Sequence, residues 1–120
     1  MDGRVIPSGL GAMSPWYLNL FENALTVQFN HRMVAYVIVL WTLLHAVRTF
    51  RVAGEGRLLV TSALMAMTVL GQAFLGIWTL LAKAPLDLSL AHQGGAIALF
   101  ALSLTQLHML MPLVQPAERA

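Results

Sequence analysis

At 120 residues the chain has room for one domain at most, and only 10% of its residues are charged, against a mean hydropathy of +0.74. Soluble domains carry about 25% charged residues because their surfaces face water, so this surface is written for lipid. A net charge of +2 is too small and scattered for a nucleic-acid surface, and the absence of cysteine excludes disulfide, iron–sulfur and thiolate chemistry.

Residues 1–30 combine Gly3, Pro7, Gly9, Gly11 and Pro15 with Trp16, Tyr17, Phe21 and Phe29. Aromatic residues of this kind favour the membrane interface, so an irregular loop or short helix lying on the bilayer is expected, its aromatic residues acting as anchors. Beyond it, Met33–Val47, Leu58–Ala82 and Leu88–Ala117 contain no Asp, Glu, Lys or Arg. A helix needs about 20 mostly apolar residues to cross the roughly 30 Å hydrocarbon layer. The second and third stretches suffice alone. The first reaches spanning length with His31 and Arg32 in the headgroup zone, the arginine stem buried and its guanidinium directed outward. The pattern lacks strand alternation, and a barrel needs about eight strands. The fold class is therefore all-α: a single membrane domain, 1–120, with spans over about 31–50, 58–82 and 89–112 and a tail at 113–120.

The loop RTFRVAGEGR sets Arg48, Arg51 and Arg57 against Glu55 alone, whereas AKAPLDLS balances Lys83 with Asp87. Short loops rich in Lys and Arg stay inside. The first loop is thus interior, the second and residues 1–30 exterior, and the tail interior. The opening Met1, Asp2, Gly3, Arg4 and Pro7 lack signal-peptide character. Either a further span precedes Met1 in a longer protein, or a small three-helix protein translocates its short N-terminus.

Ionisable groups near a membrane tend to be functional, and four histidines stand out. The first and third spans both run outside to inside, beginning at about His31 and His92, which gives these two residues the same depth on parallel helices. Two such imidazoles can clamp a flat macrocycle, each giving one nitrogen to a heme iron. The metal and cofactor ligands are accordingly expected to be His31 and His92. His45 and His108 form a rival pair nearer the interior. Fourteen residues separate His31 from His45, which share a face to within about 40°, but sixteen separate His92 from His108, nearly opposite in phase. A two-heme stack is not supported, and His45 and His108 read as interfacial polar residues. Gly94 and Gly95 after His92 would let a porphyrin approach the backbone; small residues also serve plain helix packing, as do Gly71 and Gly76. Arg32 either neutralises a heme propionate, and so binds cofactor, or simply reaches the interface. Glu22 and Asp87 read as loop residues, and the seven Met residues as packing or lipid-facing.

The runs FENALTVQFNHR (Phe21–Arg32) and LGIWTLLAKAPLDLSLAHQGGA (Leu75–Ala96), with MDGRVIPSGL at the start, closely resemble the second half of the heme A synthase family. The resemblance covers nearly the whole chain in order and spacing. It implies a piece of an eight-span protein made of two four-helix halves, starting in the loop before the sixth span. It also implies that His31 and His92 hold a b-type heme for electron transfer, as part of a four-helix heme-binding bundle. The reaction implied is oxidation of a heme O methyl group to the formyl group of heme A. Two axial histidines leave iron no open position, which suits electron transfer. In the family's first half a glutamate three residues before the first histidine is implicated in catalysis; here that position is Gln28, which cannot take up a proton as a carboxylate does. No catalytic residue is therefore expected in this chain, which alone should be inactive. The lack of cysteine is similar to proteobacterial and mitochondrial members. Expected partners are heme O, heme O synthase, an electron acceptor, membrane lipid and a second copy of the chain. The expected location is the bacterial plasma membrane or the mitochondrial inner membrane. Competing readings are a three-helix heme b anchor subunit of a respiratory complex of the succinate dehydrogenase type, against which the FEN to QFNHR run argues, and a non-catalytic membrane scaffold whose histidines are structural.

Overall fold

The computed structural model describes residues 6–52 and 56–114. Asp2, Arg4, Glu55 and the tail beyond 114 lie outside the described residues. Every regular element among those described is a helix: α1 (Leu18–Phe21), α2 (Ala24–Val52), α3 (Arg57–Leu81) and α4 (Leu86–Val114). Three segments, Ala24–Val52, Arg57–Leu81 and Leu86–Met111, are long and apolar enough to cross a membrane. The all-α, three-span architecture is as expected from the sequence.

Helices α2 and α4 begin ahead of residues 31 and 89, where hydropathy placed them. Hydropathy reports the length that meets lipid, whereas a helix begins where its first N–H groups are satisfied. For α2 that place is Asn23, whose Oδ1 accepts from the N–H groups of Leu25 (3.1 Å) and Thr26 (3.4 Å), the positions an N-cap side chain serves. The polar turns of α2 up to His31 therefore belong to the helix. For α4 the start follows Pro85, whose carbonyl accepts from Ser89 N–H at 3.0 Å. Proline is suited to a helix start because the donor it lacks would be unused there.

The described residues form two compact units, divided within α2 between Ile38 and Val39. In the first, the segment leading into α2 is folded by side chains. Buried Asn19 accepts from Met13 N–H (3.0 Å) and donates to the carbonyls of Met13 (2.7 Å) and Trp16 (2.9 Å). Asn23 donates to Gly9 O, and the Thr26 hydroxyl to Leu10 O at 2.6 Å. These bonds satisfy loop backbone that forms no ladder of its own. Trp16, Tyr17, Leu20 and Phe21 are left exposed, the distribution expected of interfacial anchors.

In the second unit α3 packs on α4. The link between them reverses the chain at Lys83 (φ 63°) and Ala84 (φ 55°), both left-handed. Ala84 N–H donates to Thr79 O (2.7 Å) and Lys83 N–H to Leu80 O (3.2 Å), closing the last carbonyls of α3. The face α3 turns inward carries Ser62, Met65 and Val69, all buried, while Val60, Leu64, Met67, Leu70 and Phe74 are exposed. Association between helices in lipid gains little from hiding apolar surface and rests on close packing and polar contacts. That is why a serine, with no exposed surface, occupies the tightest place and the large apolar groups point out. Replacing Ser62 by leucine is expected to cost about 1–3 kcal/mol through overpacking, against no more than a few tenths for Leu64→Ala on the exposed side. Unfolding in detergent monitored by circular dichroism checks this; equal stability of the two variants would refute the packing account.

Candidate functional site

His31 and Arg32 belong to the first unit, about two turns into α2. His31 is exposed and Arg32 half-buried. The Arg32 Nε and Nη2 atoms are buried and meet no hydrogen-bond partner among the described residues. Buried donors that meet no acceptor carry a desolvation cost. Gln28, one turn before His31 on the same helix, is exposed.

His92 belongs to the second unit, also about two turns into its helix, α4. Its half-buried ring lies against α3 at Gly76: a Cβ on that glycine would stand 2.9 Å from His92 Cε1 and 3.3 Å from Nε2. Only glycine lets the imidazole come so near the α3 backbone. A reciprocal contact lies alongside. The Gln72 side chain of α3 occupies the space a Cβ of Gly95 would fill, its Cδ at 2.8 Å from that position. Gly71 and Gly94 face open space. Of the glycines read from the sequence as permissive, Gly76 and Gly95 are therefore the two in use, for contacts between α3 and α4.

The rival pair is not assembled. His45 meets Gln106 instead: Gln106 Nε2 lies 3.0 Å from His45 Nε2, with the Thr49 hydroxyl at 3.5 Å. The Thr61 hydroxyl donates to Gln106 Oε1. That contact assigns the amide, so its NH2 donates to His45 and the ring nitrogen Nε2 is the acceptor. Gln106 is 2% exposed and Thr49 is buried, while His108 is exposed. The reading of His45 as an interfacial polar residue is thus replaced by a buried link joining α2, α3 and α4 within the second unit. Sequence reasoning missed Gln106, although a signal was present. Gln106 follows His92 by fourteen residues, the interval from His31 to His45. A search restricted to histidines passes over it.

Comparison with known proteins places these residues. The family model described as cytochrome oxidase assembly protein, COX15-CtaA, matches residues 1–104. A heme A synthase of Bradyrhizobium sp. is 46% identical over 115 residues, covering 93% of this chain and 32% of that protein. The heme A synthases of Brucella ovis (47% identical, 84% of this chain, 28% of the relative) and Azorhizobium caulinodans (49%, 80% and 28%) are similar. The chain therefore spans about a third of the length of the curated relatives it matches. No solved structure matches it. With the family match running through both His31 and His92, this membrane-spanning helical chain belongs to the cytochrome oxidase assembly protein (COX15-CtaA) family.

Proposed function

We propose that this chain is the portion of a heme A synthase that holds a b-type heme, with His31 and His92 as the residues that would bind its iron and Arg32 as the one that would meet a propionate. The observation that carries the reading is the similarity to heme A synthases along 93% of the chain, a stretch too long to omit either histidine. The residues fit the group on their own chemistry. Imidazole is a standard ligand of heme iron, the buried Nε and Nη2 atoms of Arg32 meet no acceptor among the described residues, and the His92 ring is seated against the α3 backbone at Gly76.

A heme held by two imidazoles would supply single-electron transfer. The chain's own residues then have limited tasks. His31 and His92 would each hold the iron through a ring nitrogen. Arg32 offsets the charge of one carboxylate by a charge-assisted hydrogen bond. Gln28 neither takes up nor gives a proton, so proton transfer during oxidation of the heme O methyl group to the formyl of heme A is assigned to residues outside this chain. Heme O as substrate, heme O synthase as its supplier, an electron acceptor, self-association and a site in the plasma or mitochondrial inner membrane belong to the same reading.

The test is the reduced-minus-oxidised absorption spectrum of the protein purified in detergent from heme-replete cells. A b-type spectrum is expected, and its absence would overturn the proposal. Arg32→Leu should retain the spectrum while weakening heme retention several-fold, consistent with about 1.5–3 kcal/mol for a hydrogen bond to a charged group, reduced by partial exposure.

A further inference from the structure

We propose that Gln72 and Gly76 of α3 are positioning residues for the His92 imidazole, Gly76 as the floor under the ring and Gln72 as acceptor for the ring N–H that is not given to iron. The assignment to iron rests on the heme-ligand reading of His92.

Gln72 and Gly76 are one turn apart on α3, and His92 and Gly95 nearly one turn apart on α4, so each pair shares a helix face. The pairs are crossed: the polar side chain of one helix covers the glycine of the other, His92 over Gly76 and Gln72 over Gly95. A methyl group on Gly76 would overlap the ring edge that carries Cε1 and Nε2. The ring would have to turn or lift away from α3. Gly76 thereby fixes how far His92 stands from that helix.

Gln72 brings a second, independent observation. Its Oε1 is buried and meets no hydrogen-bond donor among the described residues. An amide oxygen left so has a desolvation cost with nothing to offset it, and the donor it requires is an N–H at the α3–α4 seam. A histidine that binds metal through one nitrogen commonly donates the other N–H to an oxygen, which sets its tautomer and raises its basicity. His92 is the ring at this seam. The Gln72 amide already lies against α4 at Gly95, nearly one turn from His92 along that helix.

The experiment compares wild type with Gly76→Ala, Gly71→Ala, Gln72→Leu and Gln72→Glu, all checked for helical content. Three signals are read: heme dissociation rate and reduction potential, low-spin electron paramagnetic resonance, and the 15N resonances of histidine-labelled protein without heme, His92 being assigned by its loss in His92→Ala. Gly76→Ala is expected to speed heme loss about tenfold or more and to shift the resonance spectrum, with Gly71→Ala unchanged because Gly71 faces open space. Gln72→Leu should raise the reduction potential and move the His92 15N signals; Gln72→Glu, a stronger acceptor, should lower the potential. If Gly76→Ala does not fold, the Gln72 pair decides. Unaltered heme signals and unaltered His92 15N signals in Gln72→Leu, with heme still lost in His92→Ala, would overturn the positioning proposal and leave the ligand reading intact. If wild type binds no heme, or His92→Ala keeps it, the ligand reading fails by itself; the 15N shift in Gln72→Leu then decides the hydrogen bond, and its absence overturns that too.

Discussion

His31→Ala and His92→Ala are each expected to abolish the b-type spectrum, whereas His45→Ala and His108→Ala are expected to keep it. The size of the effect follows from the ligand count. On the proposed reading each imidazole would supply one of two protein bonds to the iron, and loss of even an outer-shell partner of a metal ligand costs about 10–100-fold in affinity. Removing a ligand itself should exceed that, leaving little heme through detergent purification. The controls matter as much as the losses. The Nε2 atom of His45 is engaged by Gln106, and His108 is exposed two residues further along α4. Neither helps to form a second ligand pair in the folded second unit. Imidazole supplied in the buffer should partly restore the spectrum of His92→Ala, since the place vacated against Gly76 is of imidazole size. Bands that survive both His31→Ala and His92→Ala would remove the ligand assignment, and bands lost only in His45→Ala would move the site to the other end of α2.

The spans were legible because uncharged length is a direct reading of what lipid demands, and His31 and His92 drew notice because ionisable groups in so apolar a chain tend to be functional. What failed was local. Hydropathy began α2 near His31, but Asn23 and its two N–H contacts begin it earlier, and a cap is invisible to any scale that scores only transfer to lipid. In sequence Gly76 and Gly71 both read as plain helix-packing residues. The structure separates them, one under an imidazole and the other facing open space. Nothing in the order of residues says which face of α3 meets α4, and that choice gives Gly76 its meaning. Gln106 was overlooked for a different reason. It ligates nothing, so a search for ligands had no category for it, although its interval from His92 repeats that from His31 to His45.

Gln106 supports the second of the large effects. Gln106→Leu is expected to destabilise the second unit by about 1–2 kcal/mol, a value fixed by two opposing considerations. A buried partner left unpaired costs about 1–3 kcal/mol, and Gln106 is 2% exposed. Interhelical hydrogen bonds in membranes, however, average only about 0.6 kcal/mol and reach about 1.7 kcal/mol, because other partners are found. Such partners are present here. Thr61 Oγ1 lies 3.0 Å from Arg57 O and 3.2 Å from Leu58 O, and His45 retains the Thr49 hydroxyl. The cost therefore falls in the lower part of the first range. His45→Leu alone should cost a similar amount by stranding the Gln106 amide. With both replaced, neither the amide nor the imidazole remains to be stranded by loss of the other, so the double variant should be more stable than the sum of the single effects predicts, by about 1 kcal/mol. A double-mutant cycle on unfolding in detergent measures the coupling. Strict additivity would mean that the two side chains, 3.0 Å apart in the folded chain, exchange no net energy. The link between α2 and α4 would then have to rest on the packing of Thr42, Ala46 and Thr49, the residues that α2 buries in this unit.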